Sequence, residues 1–175
     1  MSSLSPTARV ILGLLRLGLR TGYDIKRVTD YSTKYFWGAS YGQIYPELKR
    51  LEEAGLVRSK AEPRGSVRRR LFTLTRRGER AVREWLLEPS ERFELRDEGL
   101  LKLFFGEILS SNELVELVRR RRNWYELSAR EFRAISDQVG PVDDPTGEVL
   151  RYGIEWMEWS AAWFADLETR LTSRG

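Results

Sequence analysis

Ser40, Tyr41, Gln43, Tyr45 and Lys49 place two phenols, a hydroxyl, a carboxamide and an ammonium within ten residues, and Arg64, Arg68 and Arg70 follow closely. A carboxamide can donate and accept toward adenine, hydroxyls and phenols reach bases or phosphates, and guanidinium groups are drawn to the negative minor groove. This is chemistry for reading a duplex. The same residues also have plainer uses. Ser40 and Gln43 have the Ser-x-x-Gln spacing in which each satisfies the other's helix cap, and Tyr45 would serve as the edge of a core.

Charge is distributed unevenly. Residues 1–90 hold 18 Lys plus Arg against 9 Asp plus Glu, whereas residues 91–175 hold 12 against 17. Between Arg58 and Arg83 there are ten basic residues and only two acidic ones, Glu62 and Glu79. Such crowding repels itself unless an anion answers it, which points to a polyphosphate partner; an isolated run of this kind would read as a solvated face.

Composition removes several classes of function. With no cysteine and no histidine, thiolate chemistry, disulfides, zinc catalysis and a Ser-His-Asp triad are out of reach. Asp143-Asp144 lies in a Pro-flanked loop without a partner motif and reads as a turn, so an enzyme is not expected, nor is a metal or other cofactor. Charges interrupt every apolar run before membrane-spanning length, and Met-Ser-Ser-Leu-Ser-Pro has no basic flank leading to a signal-like core. The expectation is a cytoplasmic protein with no membrane partner.

The elements that must carry these residues follow from spacing. Ser5-Pro6 opens a helix whose Ala8, Ile11, Leu12, Leu15 and Leu19 form an apolar stripe. Thr21-Gly22-Tyr23-Asp24 starts a second, with Ile25 and Val28 inward, Tyr31, Tyr35, Phe36 and Trp37 at its end and Gly38 as its stop. The third is expected from Tyr41 to Gly55, lined by Ile44, Leu48 and Leu51 and bent at Pro46, with Gly42 easing the crowding. Leu56–Glu62 and Arg68–Leu74 read as strands joined by a loop over 63–67, and Thr75 caps a fourth helix carrying Ala81, Val82, Trp85 and Leu86. Alternation sends Arg68 and Arg70 to one side of the hairpin and Arg69 to the other.

From about Glu88–Glu94 the composition changes and the rest reads as helix. A short apolar segment (Leu100, Leu101, Leu103, Phe104, Phe105, Ile108) precedes a capping box at Ser110-Ser111-Asn112-Glu113 and a long helix to Val139. Thr146 is expected to cap the last helix, where Val149 is followed by Tyr152, Trp156, Trp159, Trp163 and Leu167 at a period near 3.5, a stripe that could face one partner helix. The last five residues are the expected dimer seam, with an effector pocket as the other use of the same aromatic face. Arg119–Arg122 sweeps a full helical turn and reads as structural, with ion pairs to the acidic tail of a second subunit as one role.

Three helices and a basic hairpin in this order are a winged helix-turn-helix, so the fold expected is mainly α with a small β-hairpin. It divides into a winged-helix DNA-binding domain over 1–90 and an all-helical dimerisation and effector domain over 91–175. The chain resembles the PadR family of bacterial transcriptional regulators, named for the phenolic acid decarboxylase repressor. The resemblance rests on Gly22-Tyr23-Asp24-Ile25 and on Ser40-x-Gly42-Gln43-Ile44-Tyr45-Pro46-x-Leu48-x-x-Leu51-Glu52-x-x-Gly55-Leu56. It continues through Phe72-Thr73-Leu74-Thr75-x-x-Gly78 and spans roughly Leu4 to Trp85, while the tail resembles the longer C-terminal domain of one branch by pattern more than motif. What it implies is a homodimer on an inverted repeat near a promoter, usually repressing, and in some relatives released by a small aromatic molecule. The competing class is a winged-helix adaptor for an acidic protein partner. Binding to duplex DNA of inverted-repeat symmetry separates the two.

Overall fold

The computed structural model describes residues 4–31, 41–64, 67–90, 95–140 and 143–173 and divides into two compact units, Met1–Arg92 and Phe93–Gly175. In the first, α1 (Pro6–Arg16) and α2 (Gly22–Tyr31) precede α3 (Tyr41–Glu53), the hairpin β1 (Val57–Arg64) and β2 (Val67–Leu74), and α4 (Arg76–Leu87). Tyr35, Phe36, Trp37 and Gly38, expected at the end of α2, lie outside the described residues. Ala8, Ile11, Leu12, Leu14 and Leu15 of α1 meet Ile25, Ile44, Leu48, Leu51, Val57, Phe72 and Val82 in one core, with Leu19 packed at its edge. Leu48 is fully buried, so truncating it to Ala costs about 3 kcal/mol in lost transfer and cavity terms.

Local chemistry sets the ends of these elements. The Ser5 hydroxyl accepts from the Ala8 N–H at 3.0 Å and Pro6 takes the first helical position. Thr21 accepts from the Asp24 N–H at 3.1 Å and donates to its carboxylate at 2.6 Å. α3 runs unbroken through Pro46 and closes with Gly55 at φ 68°, where the Leu56 N–H reaches the Leu51 carbonyl and the Gly55 N–H that of Glu52. This 6→1 and 5→2 pair is the Schellman closure that a left-handed glycine permits.

The hairpin departs from expectation. The strands extend until Arg64 pairs with Val67, so the connection is two residues, not five. A Gly-Ser pair suits a two-residue turn, and in a two-stranded ribbon each strand has an open edge, where the missing N–H of Pro63 deprives no ladder bond. Residues 65–66 lie outside the described residues.

The second unit is α5 (Glu98–Phe104), a short 3₁₀ turn (Gly106–Ile108), α6 (Ser111–Val139) and α7 (Pro145–Thr172). Ser110 and Glu113 form the full capping box that opens α6. α7 is capped by Asp144, not by Thr146. The Asp144 carboxylate accepts from the N–H groups of both Thr146 and Gly147 (2.8 and 3.0 Å), with Pro145 at the first helical position, and a carboxylate at a helix N-terminus also gains from the dipole.

α6 and α7 pack antiparallel through Val118, Tyr125, Ser128, Ala129 and Phe132 on one side and Met157, Ser160 and Phe164 on the other. Tyr125 stacks on Phe164 at 5.5 Å between ring centroids. The tryptophan stripe is not the face that meets α6: Tyr152, Trp159 and Trp163 are exposed, with Trp156 and Leu167 half-buried. The small residues of the neighbouring stripe explain the choice. A Cβ on Gly153 would stand 2.9 Å from the Phe132 ring, so close approach of the helices needs glycine there.

The arginine run is absorbed within the chain. Arg119 and Arg122 converge on the nearly buried Glu168 at 2.8 and 2.7 Å, and Arg120 pairs with Glu116 at 2.8 Å. Arg121 pairs with Asp97. The pairs from Arg119 and Arg122 to Glu168 of the acidic tail lie within one chain. Asp97 caps α5 through the Leu100 N–H (3.0 Å), accepts from the Tyr125 hydroxyl (2.7 Å) and so fastens α5 to α6. Burial raises its pKa, but the Tyr125, Leu100 and Arg121 bonds outweigh that and hold it below the ordinary value. No described helix is long and apolar enough to cross a membrane, and no described group of His, Cys, Asp or Glu could hold a metal ion.

Candidate nucleic-acid interface

The first turns of α3 carry the polar residues that spacing singled out. Gln43 is exposed on the first turn, Tyr45 is 50% exposed and Lys49 stands well out, 3.8 Å from Glu53. Ile44, Leu48 and Leu51 occupy the opposite, buried side. Hydrophobic spacing therefore fixes which side of α3 faces outward. Tyr41 opens the helix with only its backbone described, and Ser40 lies outside the described residues.

Tyr45 serves as the edge of the core. Its ring packs where a Cβ on Gly22 would come within 2.8 Å of it, while half of the residue stays accessible. Glycine at the start of α2 thus seats the phenol. A bulkier residue at 22 would push Tyr45 away from α2.

Two bonds fix α1 to α3. The Ser5 hydroxyl donates to the buried Glu47 at 2.6 Å, and the Thr7 hydroxyl donates to the Gln43 carboxamide oxygen at 3.3 Å. Gln43 and Glu47 are one helical turn apart, so α1's N-terminal end lies along the row that includes Gln43.

Acidic residues brace the hairpin from both sides. Arg69 donates to Asp24 of α2 at 2.8 Å, and Arg70 donates to Glu52 of α3 at 2.8 Å and to the Ser59 hydroxyl at 2.6 Å. Alternation of successive strand residues produces this division. The Thr21 hydroxyl first, then Arg69, lowers the pKa of Asp24; the Ser59 hydroxyl first, then Arg70, lowers that of Glu52. Arg70 was expected to contact DNA, and the structure engages its guanidinium within the protein. Arg64 and Arg68 pair near the hairpin's end with Val67 and Pro63 respectively, and only their backbones are described.

Spacing did not single out Thr7, Asp24, Glu47 or Glu52 as parts of this surface. A signal was present: in a half with twice as many basic as acidic residues, each carboxylate has several candidate cations, and those near the helix ends are placed to brace them.

Residues 11–84 match the family described as "Transcriptional regulator PadR-like family", and residues 95–172 match "Virulence activator alpha C-term". Residues 11–84 thus form a PadR-like family domain. The motif resemblance and the winged-helix fold are both borne out by these matches and by the structural likeness that follows. The Negative transcriptional regulator PadR of Bacillus subtilis (strain 168) is 36% identical over 111 residues, 62% of this chain and 61% of that protein. The aligned part therefore spans about three-fifths of that PadR-like relative. The crystal structure of Bacillus subtilis PadR in complex with operator DNA has a TM-score of 0.83 at 27% identity, covering 93% of this chain and 97% of that one. The same protein in complex with p-coumaric acid gives 0.78 at 26% identity, over 96% and 99% of the two chains.

Proposed function

We propose that this PadR-like chain is a DNA-binding transcriptional repressor that acts as a homodimer on an inverted repeat. The observation that carries the reading is the outward side of α3, where Gln43, Tyr45 and Lys49 stand exposed beside a basic hairpin braced by Asp24 and Glu52. An α-helix fits the major groove, and its N-terminal residues reach base edges. Ser40, Tyr41 and Gln43 meet bases or nearby phosphates, Tyr45 and Lys49 meet the backbone, and Arg64 and Arg68 extend toward the flanking minor groove. Arg70 holds the hairpin to α3. The PadR structure with operator DNA supports this reading.

Dimerisation has its own physical support. One recognition helix covers only a few base pairs, and a two-fold pair reads two half-sites. Tyr152, Trp159 and Trp163 leave large apolar surfaces exposed on α7, and large apolar patches of this kind are covered by association. Together with Trp156 and Leu167 they form the seam. A small aromatic acid as effector is supported by the PadR complex with p-coumaric acid. The protein works by binding, not by catalysis, and a regulator of this kind acts in the cytoplasm, where bacterial DNA is.

A mobility-shift titration with the region upstream of its own gene tests the proposal. The expected result is retention of a short inverted repeat, with affinity falling by about 10³ between roughly 50 and 200 mM salt if six phosphates are neutralised. Failure to retain any duplex at low salt overturns it.

A further inference from the structure

We infer that Thr7, on α1, determines which base Gln43 reads, by holding its carboxamide in one orientation. The inference rests on the DNA-binding reading of α3 and adds to it a specificity residue outside the recognition helix and the wing.

Glutamine is ambiguous in the major groove because its terminal amide can be turned either way. Presented edge-on with both groups outward, it accepts from adenine N6 and donates to adenine N7; presented nitrogen first, it offers two donors, which fit the N7 and O6 acceptors of guanine. Its orientation therefore selects the base. Here the Thr7 hydroxyl donates to Gln43 Oε1 at 3.3 Å, which turns the oxygen toward α1. The amide nitrogen takes no acceptor among the described residues and is left on the exposed side.

Two further features favour this orientation. Thr7 lies in the first turn of α1, where the unpaired N–H groups and the helix dipole favour an oxygen over an amide nitrogen. One turn along α3, the 2.6 Å bond from Ser5 to Glu47 holds the same end of α1 against the same row of α3. The backbone that carries Thr7 is thus held beside α3. Gln43 reads guanine, and adenine, which needs oxygen and nitrogen side by side toward the base, is disfavoured because the oxygen is turned to α1.

Selection of bound sequences from a random duplex pool tests this with four full-length proteins. Gln43→Ala locates the base, since only that position in each half-site relaxes. At that position the unsubstituted protein is expected to favour guanine over adenine by roughly tenfold. Thr7→Val, which keeps the side chain's shape but lacks the donor, brings the two bases within about twofold of each other, and Thr7→Ser restores the preference. Retention of non-specific duplex by Thr7→Val shows that it is folded. An adenine preference in the unsubstituted protein, or an unchanged guanine preference in Thr7→Val, overturns the inference and leaves the DNA-binding reading intact. If the unsubstituted protein enriches no sequence, the DNA-binding reading fails and the inference falls with it.

Discussion

Arg69 of β2 donates to Asp24 of α2 across 2.8 Å, joining the hairpin to the start of the second helix over 45 positions of sequence. Both groups are partly exposed, so the pair itself contributes about 0.5–1 kcal/mol. Arg69→Met should lower stability by that amount in a urea titration. Asp24→Ala also strips the Thr21 hydroxyl of its partner and should cost about 1–2 kcal/mol. Equal losses from the two would contradict the shared role of Asp24.

In the C-terminal unit the heavier dependence falls on Asp97, nearly buried against Arg121 and Tyr125. Asp97→Ala leaves the Arg121 guanidinium without its counter-ion and should destabilise by about 3 kcal/mol, whereas Tyr125→Phe removes one hydrogen bond for about 1 kcal/mol. Thermal melting of both variants checks the ranking, and a larger loss from Tyr125→Phe would refute it.

Acid should unfold the protein through three carboxylates. Asp24, Glu52 and Asp97 all have lowered folded-state pKa values. The folded chain therefore prefers their ionised forms more than the unfolded chain does. Their stabilisation is complete above the unfolded carboxylate range of about pH 4 and is lost as pH falls through the lowered values. Circular dichroism below pH 4 should show the loss, with a shallower acid limb in Asp97→Asn.

Base readout and backbone attraction should separate by mutation. Gln43→Ala is expected to weaken operator binding by about 1–3 kcal/mol while sparing non-specific duplex; Lys49→Ala should weaken both alike and reduce the salt slope by about one. Fluorescence anisotropy over a salt series distinguishes these patterns. A sequence-specific loss from Lys49→Ala would reverse the assignment.

Trp159 is the most exposed tryptophan named on α7, at 66%. Trp159→Asp puts a charge into the proposed seam and should shift the sedimenting species from dimer to monomer at micromolar concentration. An unchanged dimer would move the interface elsewhere. p-Coumaric acid added to the unsubstituted protein is expected to quench tryptophan emission and release the operator.

What could be read from the chain was largely local. Ser5-Pro6, Thr75 and the Ser110/Glu113 box act within three or four residues, so their meaning survives without knowledge of the fold. The core face of α3 was legible for the same reason, since Ile44, Leu48 and Leu51 repeat with the helix. Pairings across the fold were not. Arg70 is as basic as Arg68 in sequence, and only the packing of β2 beside α3 reveals Glu52 as its partner. On α7 the tryptophans stand out in sequence and Gly153 does not, although its lack of a Cβ is what lets Phe132 of α6 come close. Thr7 gave no sign of its bond to Gln43, because nothing in sequence tells which turn of α1 will lie along which turn of α3.

The root of the hairpin is fastened on several sides. Thr75 donates to the Gly55 carbonyl at 2.8 Å and accepts from the Gly78 N–H, while the Phe72 N–H reaches the Arg20 carbonyl at 2.7 Å. From Val57 to Arg64 the ribbon spans roughly 23 Å, and it is held again further out, where Arg69 reaches Asp24 of α2 and Arg70 reaches Glu52 of α3. On the proposed DNA-binding reading, the bearing of the wing on α3 is thereby set before a duplex is met.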